Sequence, residues 1–192
     1  MRIGIIDCGG ANLNSIFYSL QRLGIDSIIT NSIKDLLNVD GYILPGVGSA
    51  NVVMNSLIKN KLDLFIKKIE KPTLGICVGM QVMYEYSEEG NTNCLGLIEG
   101  SIKKFKQNSG LPVPQMGWNK VNCIDNYKNL SNFYYFANSF YTNNTNSAVG
   151  SSEYGHQITS IVHHNNFLGC QFHPEKSSLA GERFLEEFVK LI

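Results

Sequence analysis

The stretch Thr73–Gln81, "TLGICVGMQ", places a cysteine between two glycines where a short apolar run passes into a helical pattern. "TLGIC" has the length and apolarity of a buried strand, so the stretch reads as a strand turning sharply into a helix. The same alternation continues towards the N-terminus. "RIGIID" is a first strand, followed by Leu13, Ile16, Phe17, Leu20 and Leu23 at helical spacing, with Asn12 placed as N-cap. "SIIT" is a second strand, "YILPGVGS" a third that ends in glycines, and Ser49 to Glu70 is again helical. Repeated strand–helix units point to a parallel sheet.

Beyond Gln81 the character changes. "SIKKF", "NKVNCI", "YYFANSFYT", "SAVGSSEYG", "QITSIVHH" and "FLGCQF" are strand-like and separated by Asn, Gly and Ser clusters. An amphipathic helix from Gly181 to Ile192 turns Phe184, Leu185, Phe188 and Val189 inward. The expectation is one α/β domain over residues 1–192, with a mixed, mostly parallel central sheet and added antiparallel strands.

Composition narrows the function. The 192 residues carry 16 basic and 16 acidic side chains, a balance that gives no long-range attraction to nucleic acid or to a membrane surface. No apolar run approaches the roughly 18 residues of a membrane span. Met1-Arg2 leads straight into "IGIID", so no signal peptide is expected. Five dispersed cysteines without a Cys-x-x-Cys fit a reducing cytoplasm rather than a disulfide framework. Metal-ligand spacing is missing too: His163 and His164 are adjacent, hence on opposite faces of a strand. Neither a metal nor a cofactor is expected.

In open α/β sheets ligands bind beyond the carboxyl ends of the strands, where Cys8, the Gly46–Gly48 loop and Cys77 fall. "GICVG" fits the glycine-x-nucleophile-x-glycine elbow, with cysteine as the nucleophile. Small residues are needed there because bulky neighbours would collide around a tight turn. The alternative for Cys77 is a buried core filler. As a nucleophile it would sit at a helix start, where free N–H groups favour an anion, and the Val78 N–H could serve an oxyanion. "QFHPEKS" supplies a base and its support: His173 and Glu175 project to one side of an extended segment, so Glu175 could hold the imidazole. Gly46, Val47 and Gly48 could form a second wall of the oxyanion hole. His156, His163 and His164 read as surface or turn residues, and Cys8 has no elbow of its own.

"PGVGS", "LGICVGMQ" and "QFHPEKS", in this order, resemble the class I (triad) glutamine amidotransferases. "IDCGGANLNS" and "LPVPQMGWNKV" are further similar to the glutaminase subunits of imidazole glycerol phosphate synthases, and the similarity runs from Ile5 to the last helix. The resemblance implies a three-layer α/β/α, flavodoxin-like fold and hydrolysis of L-glutamine to glutamate and ammonia through Cys77, His173 and Glu175. It implies an oxyanion hole at Gly46, Val47, Gly48 and Val78, and glutamine contacts from Gln81, Ser139 and Phe140. It also implies a heterodimer with a (β/α)₈-barrel cyclase, docked on the face of Asn12, Asn14, Gln115, Trp118, Asn119 and Lys176. That partner would use the ammonia to make imidazole glycerol phosphate and an aminoimidazole carboxamide ribonucleotide in histidine biosynthesis.

Departures from the family pattern are visible. Asn138-Ser139-Phe140 stands where His-Ser-Tyr is common, Gln115 where histidine is frequent, and Cys8 where several relatives carry tyrosine or threonine. Two alternatives stay open: a same-fold glutaminase feeding another synthase, as in amidino-sugar synthesis, and a freestanding γ-glutamyl cysteine hydrolase.

Overall fold

The computed structural model describes residues 1–9, 13–46, 48–106 and 110–192. Asn12 and Val47 therefore lie outside the described residues. The first half runs β1 (Arg2–Ile6), α1 (Leu13–Arg22), β2 (Asp26–Thr30), α2 (Ile33–Leu36), β3 (Gly41–Leu44), α3 (Ala50–Lys59), α4 (Leu62–Ile66), β4 (Thr73–Ile76) and α5 (Val78–Gln81). Short strands β5 (Tyr86–Ser87), β6 (Thr92–Asn93) and β7 (Ser101–Lys104) follow. The chain ends with β8 (Gln115–Cys123), β9 (Asn132–Asn138), β10 (Phe140–Tyr141), β11 (Ala148–Glu153), β12 (Gln157–His164), β13 (Phe167–Cys170) and α6 (Ser178–Val189).

Nine strands form the main sheet in the order β2-β1-β3-β4-β13-β12-β11-β8-β9. β2, β1, β3, β4 and β13 pair in parallel, and β12, β11, β8 and β9 continue antiparallel. The antiparallel part is thus as extensive as the parallel part. β3, β4 and β13 are buried along their whole length, as strands covered on both faces must be. One apolar core joins the sheet to Leu20, Leu57, Phe184 and Phe188 of the helices. α1 and α6 are tied by the Arg22–Glu182 ion pair, while α3 packs with α4 and α5. Among the described residues, no helix is long and apolar enough to cross a membrane.

Several boundaries depart from the sequence reading. The helical stretch from Ser49 to Glu70 is two helices, broken where Lys61 takes a left-handed backbone (φ 58°). "YYFANSFYT" divides at Ser139: β9 stays in the main sheet, while β10 joins a second, four-stranded sheet, β10-β7-β5-β6. "SIKKF" contributes β7 to that second sheet, not to the main one. The helix after Cys77 is a single turn. Past it, the carbonyls of Val82, Met83 and Tyr84 accept from the N–H groups of Leu95, Leu97 and Gly96, so they are spoken for outside a helix.

Candidate active site

Cys77 sits on the tight turn between β4 and α5 with φ 53° and ψ −113°, a backbone conformation L-residues rarely adopt. Such strain persists only where surroundings enforce it, and it costs about 1–3 kcal/mol. Here the enforcement is visible. The Cys77 N–H donates to the Cys170 carbonyl at 2.7 Å, tying the elbow to the end of β13. A Cβ on Gly46 would lie 2.1 Å from Ile76 O and 2.2 Å from Val78 N, so the loop after β3 meets the elbow backbone to backbone. That contact needs glycine at 46 and brings the loop beside the Val78 N–H.

His173 and Glu175 approach from the end of β13. The His173 Nδ1 and Glu175 Oε1 are 2.8 Å apart, with the side chains 13% and 4% exposed. The pairing is the expected one, but the backbone is not extended: Pro174–Lys176 forms a 3-10 turn. The turn is packed against α6 at Gly181, where a Cβ would fall 1.8 Å from Pro174 O. With Nδ1 occupied, Nε2 is left for Cys77, whose side chain hydrogen-bonds the imidazole. Burial alone would lower the His173 pKa, but the hydrogen bonds and charges of Cys77 and Glu175 outweigh it and raise it to about 10. The imidazole therefore keeps its proton at neutral pH.

That shift has a stability consequence. The native state binds the His173 proton more tightly than the unfolded chain, so stability falls as pH rises between 6.5 and about 10. The stability difference between the parent and His173→Ala should be fully present below pH 6.5 and fade as pH passes about 10. Urea titrations across that range measure it; a difference that grows with pH contradicts the assignment.

A cleft of about 130 Å³ opens at the sulfur, lined by Gly48, Cys77, Val78, Gln81, Glu89 and the segment from Ala137 to Phe140. Ser139 and Phe140 reach it because the chain switches sheets there. Gln81 is 2% exposed, and its Nε2 donates to the Phe140 carbonyl at 3.0 Å. Asn138 Nδ2 donates to the same carbonyl at 3.0 Å. A second cleft, of about 120 Å³, lies against the pair, lined by Ile16, Pro45, Gly46, Ile76, His173, Glu175 and Lys176.

Glu89 and Gln171 were not singled out by the sequence. Glu89 caps α3 by accepting from the Ala50 N–H at 2.7 Å, and burial, partly offset by that bond, raises its pKa. Its only sequence signal is an acidic residue in a turn-rich stretch. Gln171 sits inside what reads as a plain apolar strand end.

The other thiols are placed differently. Cys8 is 1% exposed and donates to Ile6 O. Burial, with a smaller push from Asp7, drives its pKa up to about 12. Burial likewise raises Cys94 and Cys123 to about 11 and Cys170 well above its ordinary value. Two of the remaining histidines are strand residues rather than surface or turn residues: His163 faces the Tyr127 hydroxyl and His164 the Ser147 hydroxyl. His156 lies in an exposed bend against Tyr141.

On β8 and β9, Trp118 pairs with Tyr135 in register and is 53% exposed, beside Met116 at 67% and Phe133 at 54%. Lys176 lies over the Tyr135 ring, 6.0 Å from its centroid, and Asn14 is exposed at the start of α1. Gln115 does not belong to this surface. It is 3% exposed, an odd number of residues from Trp118 and so on the opposite face of the strand. Asn119 also points to that inner side and donates to the Glu153 carbonyl at 2.9 Å.

The model of the glutamine amidotransferase class-I family matches residues 4–191. The chain belongs to the class I glutamine amidotransferases. This amidotransferase is 38% identical over full length to a Bacteroides fragilis protein named imidazole glycerol phosphate synthase subunit HisH. It is 40% identical to the Haemophilus influenzae protein of that name, covering 99% of this chain and 98% of the relative. A solved glutamine amidotransferase shares the fold, with TM-score 0.79 and 15% identity over 98% of this chain and 97% of the other.

Proposed function

We propose that this amidotransferase is the glutaminase subunit of an imidazole glycerol phosphate synthase, serving histidine biosynthesis. The observation that carries the reading is the buried contact series Cys77–His173–Glu175 at a cleft sized for a small molecule, in a chain related end to end to proteins of that name.

In the proposed reaction, Cys77 Sγ attacks the side-chain carboxamide of glutamine. The developing oxyanion is met by the Val78 N–H and by the glycine loop containing Gly46, Val47 and Gly48. His173 passes its Nε2 proton to the leaving nitrogen, ammonia departs, and a γ-glutamyl thioester remains. His173 then takes a proton from water, whose oxygen attacks the thioester and frees glutamate and the thiol. Glu175 keeps the imidazole oriented throughout. The α-ammonium of glutamine would face the Glu89 carboxylate and the Gln81 side chain, and its α-carboxylate the backbone at Ser139 and Phe140.

The partner would be a cyclase subunit with a (β/α)₈ barrel. Ammonia is mostly protonated in neutral water and useless there as a nucleophile, so it has to travel enclosed. In this reading the second cleft would be that route, and its Lys176 edge lies over Tyr135, the strand partner of the exposed Trp118. Exposed aromatics of this kind anchor interfaces. Mixing the protein with the cyclase subunit and its ribonucleotide ligand should stimulate glutaminase activity strongly. Trp118→Ala should weaken the complex by about 2 kcal/mol, roughly 30-fold in Kd, read by calorimetry. Full activity without any partner would instead identify a freestanding hydrolase, and stimulation only by another synthase would identify a different acceptor.

A further inference from the structure

Gln171 is fully buried and touches the reacting sulfur from a direction that neither His173 nor the elbow uses. Its Nε2 lies 3.7 Å from Cys77 Sγ, and its Oε1 lies 2.8 Å from Gln81 Nε2. Side-chain amides are ambiguous in shape, so their polarity has to come from neighbours. The Phe140 carbonyl provides it. A carbonyl oxygen only accepts, so the Gln81 atom 3.0 Å from it is the NH₂ group. The same NH₂ group faces Gln171, which must therefore present Oε1 to it and Nε2 to the sulfur. Turning either amide over would set oxygen against oxygen, or nitrogen against nitrogen, between side chains that are almost fully buried.

Two consequences follow for the glutaminase reading, on which the inference rests. Both N–H groups of Gln81 are taken, by Phe140 and Gln171. Its Oε1 is left as an acceptor on a side chain lining the cleft, the polarity that suits the α-ammonium of glutamine. A neutral N–H donor directed at sulfur also holds it from a side that the imidazole does not use. The platform is rigid. Gln171 N–H donates to Ser160 O at 2.9 Å, and the preceding carbonyl, that of Cys170, accepts from Cys77 N–H.

We propose that Gln171 is a positioning residue of this site, donating from Nε2 to Cys77 Sγ while its Oε1 locks the Gln81 amide with the carbonyl offered to glutamine. The test uses the full chain and two probes: the rate at which iodoacetamide alkylates Cys77, and the glutamine concentration that protects Cys77 from a diazo-oxo-norleucine electrophile. Gln171→Leu removes both bonds. It should slow alkylation at pH 7 about 10-fold and raise the protecting concentration about 10-fold, the effect of one hydrogen bond on each. Gln171→Glu keeps an acceptor for Gln81 but no amide donor for sulfur. It should slow alkylation as much while leaving protection within about 3-fold of the parent. Parental behaviour of Gln171→Leu in both probes overturns the proposal, as does Gln171→Glu losing both properties together with thermal stability. Should Gln171→Leu not fold, Gln171→Glu decides alone. A parent whose Cys77 resists both reagents defeats the nucleophile assignment instead, a distinct outcome.

Discussion

Cys77→Ala should abolish glutamine hydrolysis, by about 10⁴-fold or more, and leave binding to the cyclase subunit unchanged. The size follows from the lack of a substitute. The four other thiols are held in their protonated form chiefly by burial, and among the described residues Cys77 is the cysteine that lines the cleft. Without a thioester, His173 would have to activate water against an amide directly, and an amide is far less reactive. Binding should survive because Cys77 is 4% exposed and offers a partner almost no surface. Coupled detection of glutamate and gel filtration with the partner measure the two halves. Glutamate release above one hundredth of the parental rate would return Cys77 to the role of core filler.

The second large effect is steric. Gly79→Ala would set a Cβ 1.9 Å from Leu44 O, and Gly46→Ala would set one 2.1 Å from Ile76 O. Each clashing atom is backbone of a buried strand or its end, so no side chain can swing aside. Either substitution must push β3 and β4 apart at the ends that carry the chemistry, and a loss of about 3 kcal/mol or more is expected. Gly96→Ala is the control: its Cβ meets nothing within 4 Å, and only its φ of +65° opposes the change. That should cost about 1–2 kcal/mol. Urea unfolding ranks the three. Gly79→Ala as stable as Gly96→Ala would mean that the two strand ends are not wedged as described.

The parallel half was readable because fully buried strands leave continuous apolar runs, and the helices between them leave a 3.6-residue stripe. The elbow was readable for the same steric reason that it exists: Gly75 and Gly79 flank Cys77 because neither position has room for a side chain. His173 and Glu175 were readable from closeness in sequence, even though a 3-10 turn rather than extended chain brings them together. The second sheet was not, since β5, β6 and β10 are two residues long, too short to show a period. Lys61 hid the helix break because lysine carries no signal for a left-handed backbone. Gln171 was hidden because its partners Gln81 and Cys77 stand 90 and 94 residues away, and no local pattern reports such a meeting. Gln115 was grouped with Trp118, although their odd spacing sets the two side chains on opposite faces once the segment is a strand, as β8 is where it pairs with β9.

The two clefts meet the triad from different sides, one at the sulfur and one at the imidazole and carboxylate. In the proposed reaction this makes hydrolysis vectorial. The amino acid would enter and leave by the mouth at the sulfur, beside Gln81 and Glu89, while the wall of His173 and Glu175 would face the route of the nitrogen it surrenders. Which product goes where would then follow from which wall each triad member faces.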